Sequence, residues 1–275
     1  MLKTFAALGV SALALAAGSA SAQDWQGFYA GGFAGYQHQV QDEDETILFD
    51  TNLDGRFGDT VNTTAPANAF SPGFCDGRPQ GNNAGAGCRD DDDGSGEFGA
   101  RAGYDFQTGP VVVGIVADFS KVNPQDSVSA FSTTPANYAF KREVQHLFGA
   151  RFRLGLAYGR YLPYVTGGYA SAQIEDKYST SNTANSFTPT TQSQDADGYQ
   201  LGGGIETRVT SNFSVGLEYL YTDIDADPLT VRTGPGTAPP TSNPFLLVNA
   251  AGTDQRRSSD KVELHAFRIT GAWRF

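Results

Sequence analysis

Four sets of side chains in this sequence could do chemistry. The largest is a group of charges that recur on one parity of alternating segments: Glu97, Arg101, Asp118, Arg151, Arg153, Glu206, Arg208, Glu218, Arg268 and Arg274. Brought together in an interior, such charges must pair, because a buried charge left alone is costly. They could form a salt-bridged core that fills the interior, or line a narrow, gated path for ions. Acids and bases are close to balanced, so no strong ion selectivity is expected. The second set is the three histidines, His38, His146 and His265. A Ser-His-acid site needs all three groups within hydrogen-bond reach. His265 is followed by Ala266 and Phe267 with no serine near it in that segment, His146 shares its parity with bulky apolar residues, and His38 sits at a segment end. No catalysis is expected. The same histidines, or a loop tyrosine, are the conventional axial ligands for haem, but no motif selects that use and no cofactor is expected.

Cys75 and Cys88 make the third set, with twelve residues between them in a Gly/Asn-rich stretch. In an oxidising compartment this spacing predicts a disulfide, and closing such a loop contributes about 3 kcal/mol in the chain-entropy picture. A metal pair would need histidine partners, and none lie near. The fourth set is two acidic runs, 42–45 and 90–93. Calcium takes several oxygen ligands, but Arg89 stands where the first ligand of a calcium loop would be and no bidentate Glu is in register. Solvated acidic loops are expected, and no metal site.

The elements that would position these groups are strands. In residues 261–275, Phe267, Ile269, Gly271, Trp273 and Phe275 alternate with Ala266, Arg268, Thr270, Ala272 and Arg274. Period two places one set on each face of a strand. A soluble sandwich would turn the apolar face inward; a transmembrane barrel turns it to lipid and the polar face to the lumen.

Bulk properties narrow the choice. Residues 1–22 read as an export signal: Lys3, an uncharged and mostly apolar run over 5–17, and Ala20-Ser21-Ala22 as a small-x-small cleavage site. The run is too short to span a bilayer. The formal net charge is −11, one unit lower without Lys3, which argues against nucleic-acid binding. Mean hydropathy is −0.34, and no later stretch is apolar over helix-spanning length. The 33 glycines and 12% aromatic content suit close-packed strands with aromatic belts.

Along the chain, strands are expected at 25–38, 96–106, 111–120, 140–158, 161–174, 198–209, 213–221 and 261–275. On the fourth, Val144, His146, Phe148, Ala150, Phe152 and Leu154 are expected on one face. The strand-to-strand connections run long, short, long, short, long, short, long. The long ones are polar loops: 39–95 first, about 121–139, 175–197, and about 223–260 last. Loops this long are usually functional or disordered. Outer-membrane barrels have long extracellular loops and short periplasmic turns, and about ten residues per strand suffices to cross. The fold class expected is therefore all-β: an eight-stranded antiparallel transmembrane β-barrel over 23–275, with four long extracellular loops and three short periplasmic turns.

Gln-Gly-Phe-Tyr-Ala-Gly-Gly-Phe-Ala-Gly-Tyr at 26–36 resembles the opening strand of the small surface-antigen barrels, the opacity-protein and outer-membrane-protein-A-like porin family of alphaproteobacteria. Leu-Pro-Tyr-Val-Thr-Gly-Gly-Tyr at 162–169, Ser-Val-Gly-Leu-Glu-Tyr-Leu-Tyr-Thr-Asp at 214–223 and Arg-Ile-Thr-Gly-Ala-Trp-Arg-Phe at 268–275 are similar to its fifth, seventh and last strands. The resemblance implies the outer membrane of a Gram-negative bacterium, with lipid and lipopolysaccharide around the barrel. It also implies periplasmic chaperones and the barrel-assembly machinery during biogenesis, with Phe275 as the assembly signal. Its members are called porins, surface antigens, adhesins or hemin binders. The function expected is a structural, porin-like barrel with at most a narrow gated lumen. The alternative is a surface adhesin or ligand-binding module, for example for hemin, acting through its loops. The chain departs from the family in its long first loop and the cysteine pair there.

Overall fold

Alternation between small or charged residues and bulky apolar ones runs through the chain, and the fold is built from it. A computed structural model describes residues 24–39, 44–89 and 94–275; the expected export signal, the first half of the acidic run 42–45 and all of the run 90–93 lie outside them. The strands are β1 (Gly27–Gln39), β2 (Ile47–Asp50), β3 (Gly73–Asp76), β4 (Arg78–Pro79), β5 (Cys88–Arg89), β6 (Ser95–Thr108), β7 (Val111–Lys121), β8 (Gln125–Ser132), β9 (Ala136–Leu156), β10 (Tyr161–Thr180), β11 (Ser186–Pro189), β12 (Ser193–Arg208), β13 (Phe213–Asp225), β14 (Val231–Gly234), β15 (Thr253–Arg257) and β16 (Lys261–Arg274). Eight of them close on themselves in the antiparallel order β1-β6-β7-β9-β10-β12-β13-β16, with β16 pairing back onto β1. The protein is an eight-stranded β-barrel. Closure removes every sheet edge from the bilayer, where an unpaired backbone group would cost several kcal/mol.

β7 shows the logic of each barrel strand. Val112, Gly114, Val116, Asp118 and Ser120 are buried, while Val111, Val113, Ile115 and Phe119 face outward. Exposed Phe28, Tyr104, Phe106, Tyr158, Tyr161, Trp273 and Phe275 cluster at the ends joined by short turns; Tyr36, Phe98, Tyr169, Tyr199 and Tyr219 sit towards the opposite ends. This is an aromatic girdle at each interface. The first strand, ambiguous by pattern, turns Tyr29, Phe33 and Gln37 inward. Gly31, between them, lies so close to β16 that a Cβ would overlap the carbonyl oxygen of Gly271. A side chain there is expected to wedge open the seam where the barrel closes. Gly31→Val should cost about 1–3 kcal/mol, as overpacking does, and appear as a lower fraction of heat-modifiable, folded protein on gels.

β9 carries a correction. The pairing with β10 slips by one residue between Gln173 and Ile174, which oppose His146 and Val144, so Gln145 is an extra residue. A bulge reverses the alternation beyond it. Val144, expected on the outer face with His146, is instead buried inside with Arg142 and Phe140.

The polar loops are the larger correction. β9 and β10 run 21 and 20 residues, about twice what a bilayer crossing needs. Their outer halves leave the membrane and, with β8 and β3, form one sheet above the barrel. A second sheet, β11-β14-β15-β2, draws strands from the third, fourth and first loops. Ile47, Phe49, Phe70, Val128, Tyr138, Phe140, Val231 and Phe245 pack together as a hydrophobic core. The loops are thus a folded cap. Their overall polarity masks short apolar runs such as Ile47-Leu48-Phe49 and short alternating ones such as Val128-Ser129-Ala130.

Cys75 on β3 and Cys88 on β5 are disulfide-bonded across a Cα–Cα distance of 6.0 Å. The bridge closes a lobe on the side of the cap. Replacing both with serine is expected to remove up to about 3 kcal/mol of local stability. Proteolysis within 76–87 should then quicken, with the heat-modifiable mobility of the barrel unchanged.

Candidate functional site in the lumen and its cap

The inward face of an eight-stranded barrel holds just enough room for side chains to fill it. Here the filling comes in layers. At the periplasmic end Trp25 is fully buried among Val112, Ala157 and Leu162. Its backbone N–H donates to Gln107 Oε1 at 2.6 Å. The Arg208 and Arg274 guanidiniums lie 4.8 and 5.5 Å from its ring centre, close enough for cation–π attraction.

Above this plug is the charge layer. All ten residues of the expected cluster are buried, and nine of them, all but Arg208, make the ion pairs of this layer. Small residues on the inward parity leave space for inward side chains: a Cβ at Gly114, Gly149, Gly204 or Gly216 would press on Asp105, Gln200, Tyr164 or Thr270 respectively. Arg153 reaches Glu206 at 3.0 Å and Asp105 at 3.2 Å. Arg274 reaches Asp105 at 2.8 Å. Arg268 Nε donates to Glu97 at 2.8 Å, and its Nη1 lies 3.4 Å from Asp118. Asp118 also binds Arg151. Glu218 is the hub, with Arg101, Arg268 and Arg151 at 3.5, 3.6 and 3.7 Å and the Tyr164 hydroxyl donating at 2.8 Å. Arg208 stands apart, donating to the backbone carbonyls of Asp24 and Ser211.

Asp105 is missing from the expected cluster, although its parity with Glu97 and Arg101 is the signal that finds it. Tyr29 and Tyr164 are also absent from it. They are aromatic residues facing inward, where each puts a ring against Arg153 at 5.2 and 4.6 Å.

Further out, Gln200 Nε2 donates to Thr222 Oγ1 at 3.0 Å beside buried Gln37 and Ser120. Then comes an apolar layer that includes Leu147, Ile174, Ile224, Val262 and Leu264. Two buried ion-pair sets follow at the base of the cap. Arg142 donates to Asp176 at 2.8 and 3.2 Å, and Arg257 donates to Glu45 at 2.6 Å and also to Asp126. Burial pushes the Glu45 carboxyl up, with Arg257 pulling against it. None of these cap pairs is visible in the sequence, because their partners lie in different loops. Beyond them a pocket of about 280 Å³ opens at the end of the cap, lined by residues from all four loops.

The histidines sit on the outer side of the wall. His38 and His265 are cross-strand partners, and His265 Nδ1 meets the Tyr219 hydroxyl at 2.6 Å. His146 pairs with Lys121 on another part of the barrel and stacks on Phe119 at 5.3 Å. Among the described residues no group of three or more His, Cys, Asp or Glu is arranged to hold a metal ion. Phe275, at the end of β16, is exposed, donates its N–H to the Phe28 carbonyl and packs on the Phe28 ring at 5.8 Å.

A closed barrel with a lipid-facing apolar surface has a match in known families. The model of the outer membrane protein beta-barrel domain matches residues 5–275. The chain belongs to this family. As one of its members it resides in the outer membrane of a Gram-negative bacterium. It is 31% identical to the 31 kDa outer-membrane immunogenic protein of Brucella melitensis over 128 residues, 46% of this chain and 52% of that one. It is 29% identical to the 22 kDa outer membrane protein of Rhizobium leguminosarum over 132 residues, 48% of this chain and 54% of that one. The chain thus spans about half the length of these relatives. Among solved structures, OprG of Pseudomonas aeruginosa aligns over 91% of this outer-membrane barrel and 96% of its own chain, with 12% identity and a TM-score of 0.46.

Proposed function

We propose that this outer-membrane barrel is a closed scaffold whose work is done by the cap it holds above the cell surface. The filled lumen carries this reading. A tryptophan plug, a paired charge layer and an apolar layer block the axis in series, and the cap core lies over them. An ion crossing this path would have to displace guanidinium–carboxylate pairs and then enter a layer without polar partners, where a bare charge is very costly. The cap, in contrast, has a rigid core and a solvent-facing surface, the arrangement expected of a binding module. The name of the Brucella relative, an immunogenic protein, is in keeping with a cap displayed outward.

Catalysis by a histidine triad plays no part in this reading, since the histidines it would use face away from the lumen and the cap. The barrel wall is in contact with lipid and lipopolysaccharide. Its biogenesis runs through periplasmic chaperones and the barrel-assembly machinery.

Single-channel recording in a planar bilayer tests the closed lumen. The refolded chain from Gln23, with folding verified by heat-modifiable mobility, should give a silent membrane at moderate voltage. Discrete, reproducible steps would restore the porin reading.

A further inference from the structure

The base of the cap buries more acid than base. Arg257, at the end of β15, clamps the Glu45 carboxylate with its Nε and Nη2 at 2.6 and 2.5 Å. The same Nη2 also donates to Asp126, near the start of β8. The remaining nitrogen, Nη1, is buried and makes no hydrogen bond. Two carboxylates thus crowd one edge of one guanidinium. Arg142 of β9 stands directly opposite Asp126, but its Nε and Nη2 go to Asp176 of β10, and Asp227 lends it only a backbone carbonyl. Glu45, Asp126 and Asp176 therefore face Arg142 and Arg257, three carboxylates to two guanidiniums. The Glu45 and Arg257 side chains are 2% and 1% exposed, and that of Asp126 is 16% exposed. An excess charge buried in this way is costly. When two carboxylates share a site, one of them holds its proton more strongly.

We propose that this joint is a pH-sensitive fastening of the cap: Glu45 binds a proton in acid, which tightens the joint, and releases it as the pH rises, which loosens it. Glu45 takes the proton because it is the less hydrated of the two acids. A protonated carboxyl keeps acceptor capacity, so the contact with Arg257 persists and Asp126 alone then balances the guanidinium. Burial raises the Glu45 carboxyl above its usual value against the pull of Arg257, and the Asp126 charge adds to the rise. The folded cap therefore binds this proton more tightly than the unfolded segment does. The stability it supplies is full below the ordinary carboxyl value of 4.5 and is lost as pH rises through the raised value of the folded state. The joint reaches the cap core through the strands it roots. Ile47 lies two residues beyond Glu45 and opposite Arg257, and Val128 lies two beyond Asp126; both belong to that core. The cap faces the external medium, so the pH it reads is that of the medium. The device goes beyond the cap's role in binding and stands whether or not the lumen conducts.

Amide hydrogen exchange on the refolded chain from Gln23 tests this, with each rate divided by the intrinsic exchange rate at the same pH. Protection in β2 and β15 should fall about tenfold between about pH 5 and about pH 8, within the limit of tenfold per pH unit that one proton allows. Protection in β6 and β7 should stay level. E45Q keeps an acceptor for Arg257 and cannot ionise, so it should hold the acid level of protection at both ends of the range. D126N leaves Arg257 to Glu45 alone and should also raise protection at the alkaline end. An ordinary stabilising ion-pair set predicts the opposite, since either variant would then lower protection there. The proposal is overturned by a profile that is flat or rises with pH, by a pH dependence that survives in E45Q, or by variants that both lose protection at the alkaline end. A measurement on the unaltered chain covers the case in which the variants do not fold. NMR titration of the glutamate carboxyl carbons should show one midpoint above 4.5 that tracks the loss of protection, and the absence of any such resonance overturns the proposal too.

Discussion

Glu218→Leu is expected to cost the barrel about 3–5 kcal/mol, the usual penalty for removing one partner from a buried ion pair. Glu218 sits on β13 directly across from Arg268 on β16. It is within 3.7 Å of three guanidiniums and accepts the Tyr164 hydroxyl. Asp118 still neutralises Arg151, and Glu97 still holds Arg268. Arg101, 3% exposed at its side chain, loses the carboxylate it faces. Its charge would remain in a medium where it cannot be hydrated. The loss should appear as a lower urea midpoint for heat-modifiable mobility. The double variant Glu218→Leu/Arg101→Leu should regain more than half of it, because an apolar pair of similar volume often replaces a buried ion pair without net cost. A loss below about 1 kcal/mol in the single variant, or no recovery in the double, would mean that water reaches this layer. That would undermine the closed lumen as well.

The charge layer could be read from the sequence because a barrel strand has a strict period of two, so parity alone sorts lumen from lipid. Arg151 and Arg153, Glu206 and Arg208, and Arg268 and Arg274 declare their side by counting. The pairing could not be read, because strand register sets which acid meets which base: Arg274 finds Asp105 across a separation of 169 residues. Parity fails where the backbone slips, as at Gln145, where one extra residue turns Val144 inward. The cap was hidden for a different reason. Its core residues, such as Phe70, Val128 and Phe245, sit singly or in short apolar runs within polar loops, and each is half of a contact whose other half lies in another loop. Asn243 gives no signal in the sequence beyond preceding Pro244. Only the fold places it at the cap pocket, with its Nδ2 buried and without a hydrogen bond.

Phe70→Ala is expected to loosen the cap as a unit. Phe70 is 3% exposed, and its ring lies 4.4 Å from Phe49, 5.2 Å from Tyr138 and 5.9 Å from Phe245. It therefore ties the first loop to the second and the fourth. Tyr138 carries the link on to Phe187 in the third at 6.3 Å. Truncating a buried phenylalanine costs about 3–5 kcal/mol, a large share of what so small a core can supply. The barrel strands, held by their own ladders and by the lumen layers, do not depend on this ring. Limited proteolysis should therefore cut all four loops together in the variant while the membrane-embedded barrel keeps its heat-modifiable mobility. Local opening of this kind follows cooperative units and not chain order. Cleavage confined to residues 58–72 would show that the first loop is fastened independently, and that the four loops do not share one core. Cooperative cleavage would instead make the cap a single rigid platform, as a pocket assembled from all four loops requires.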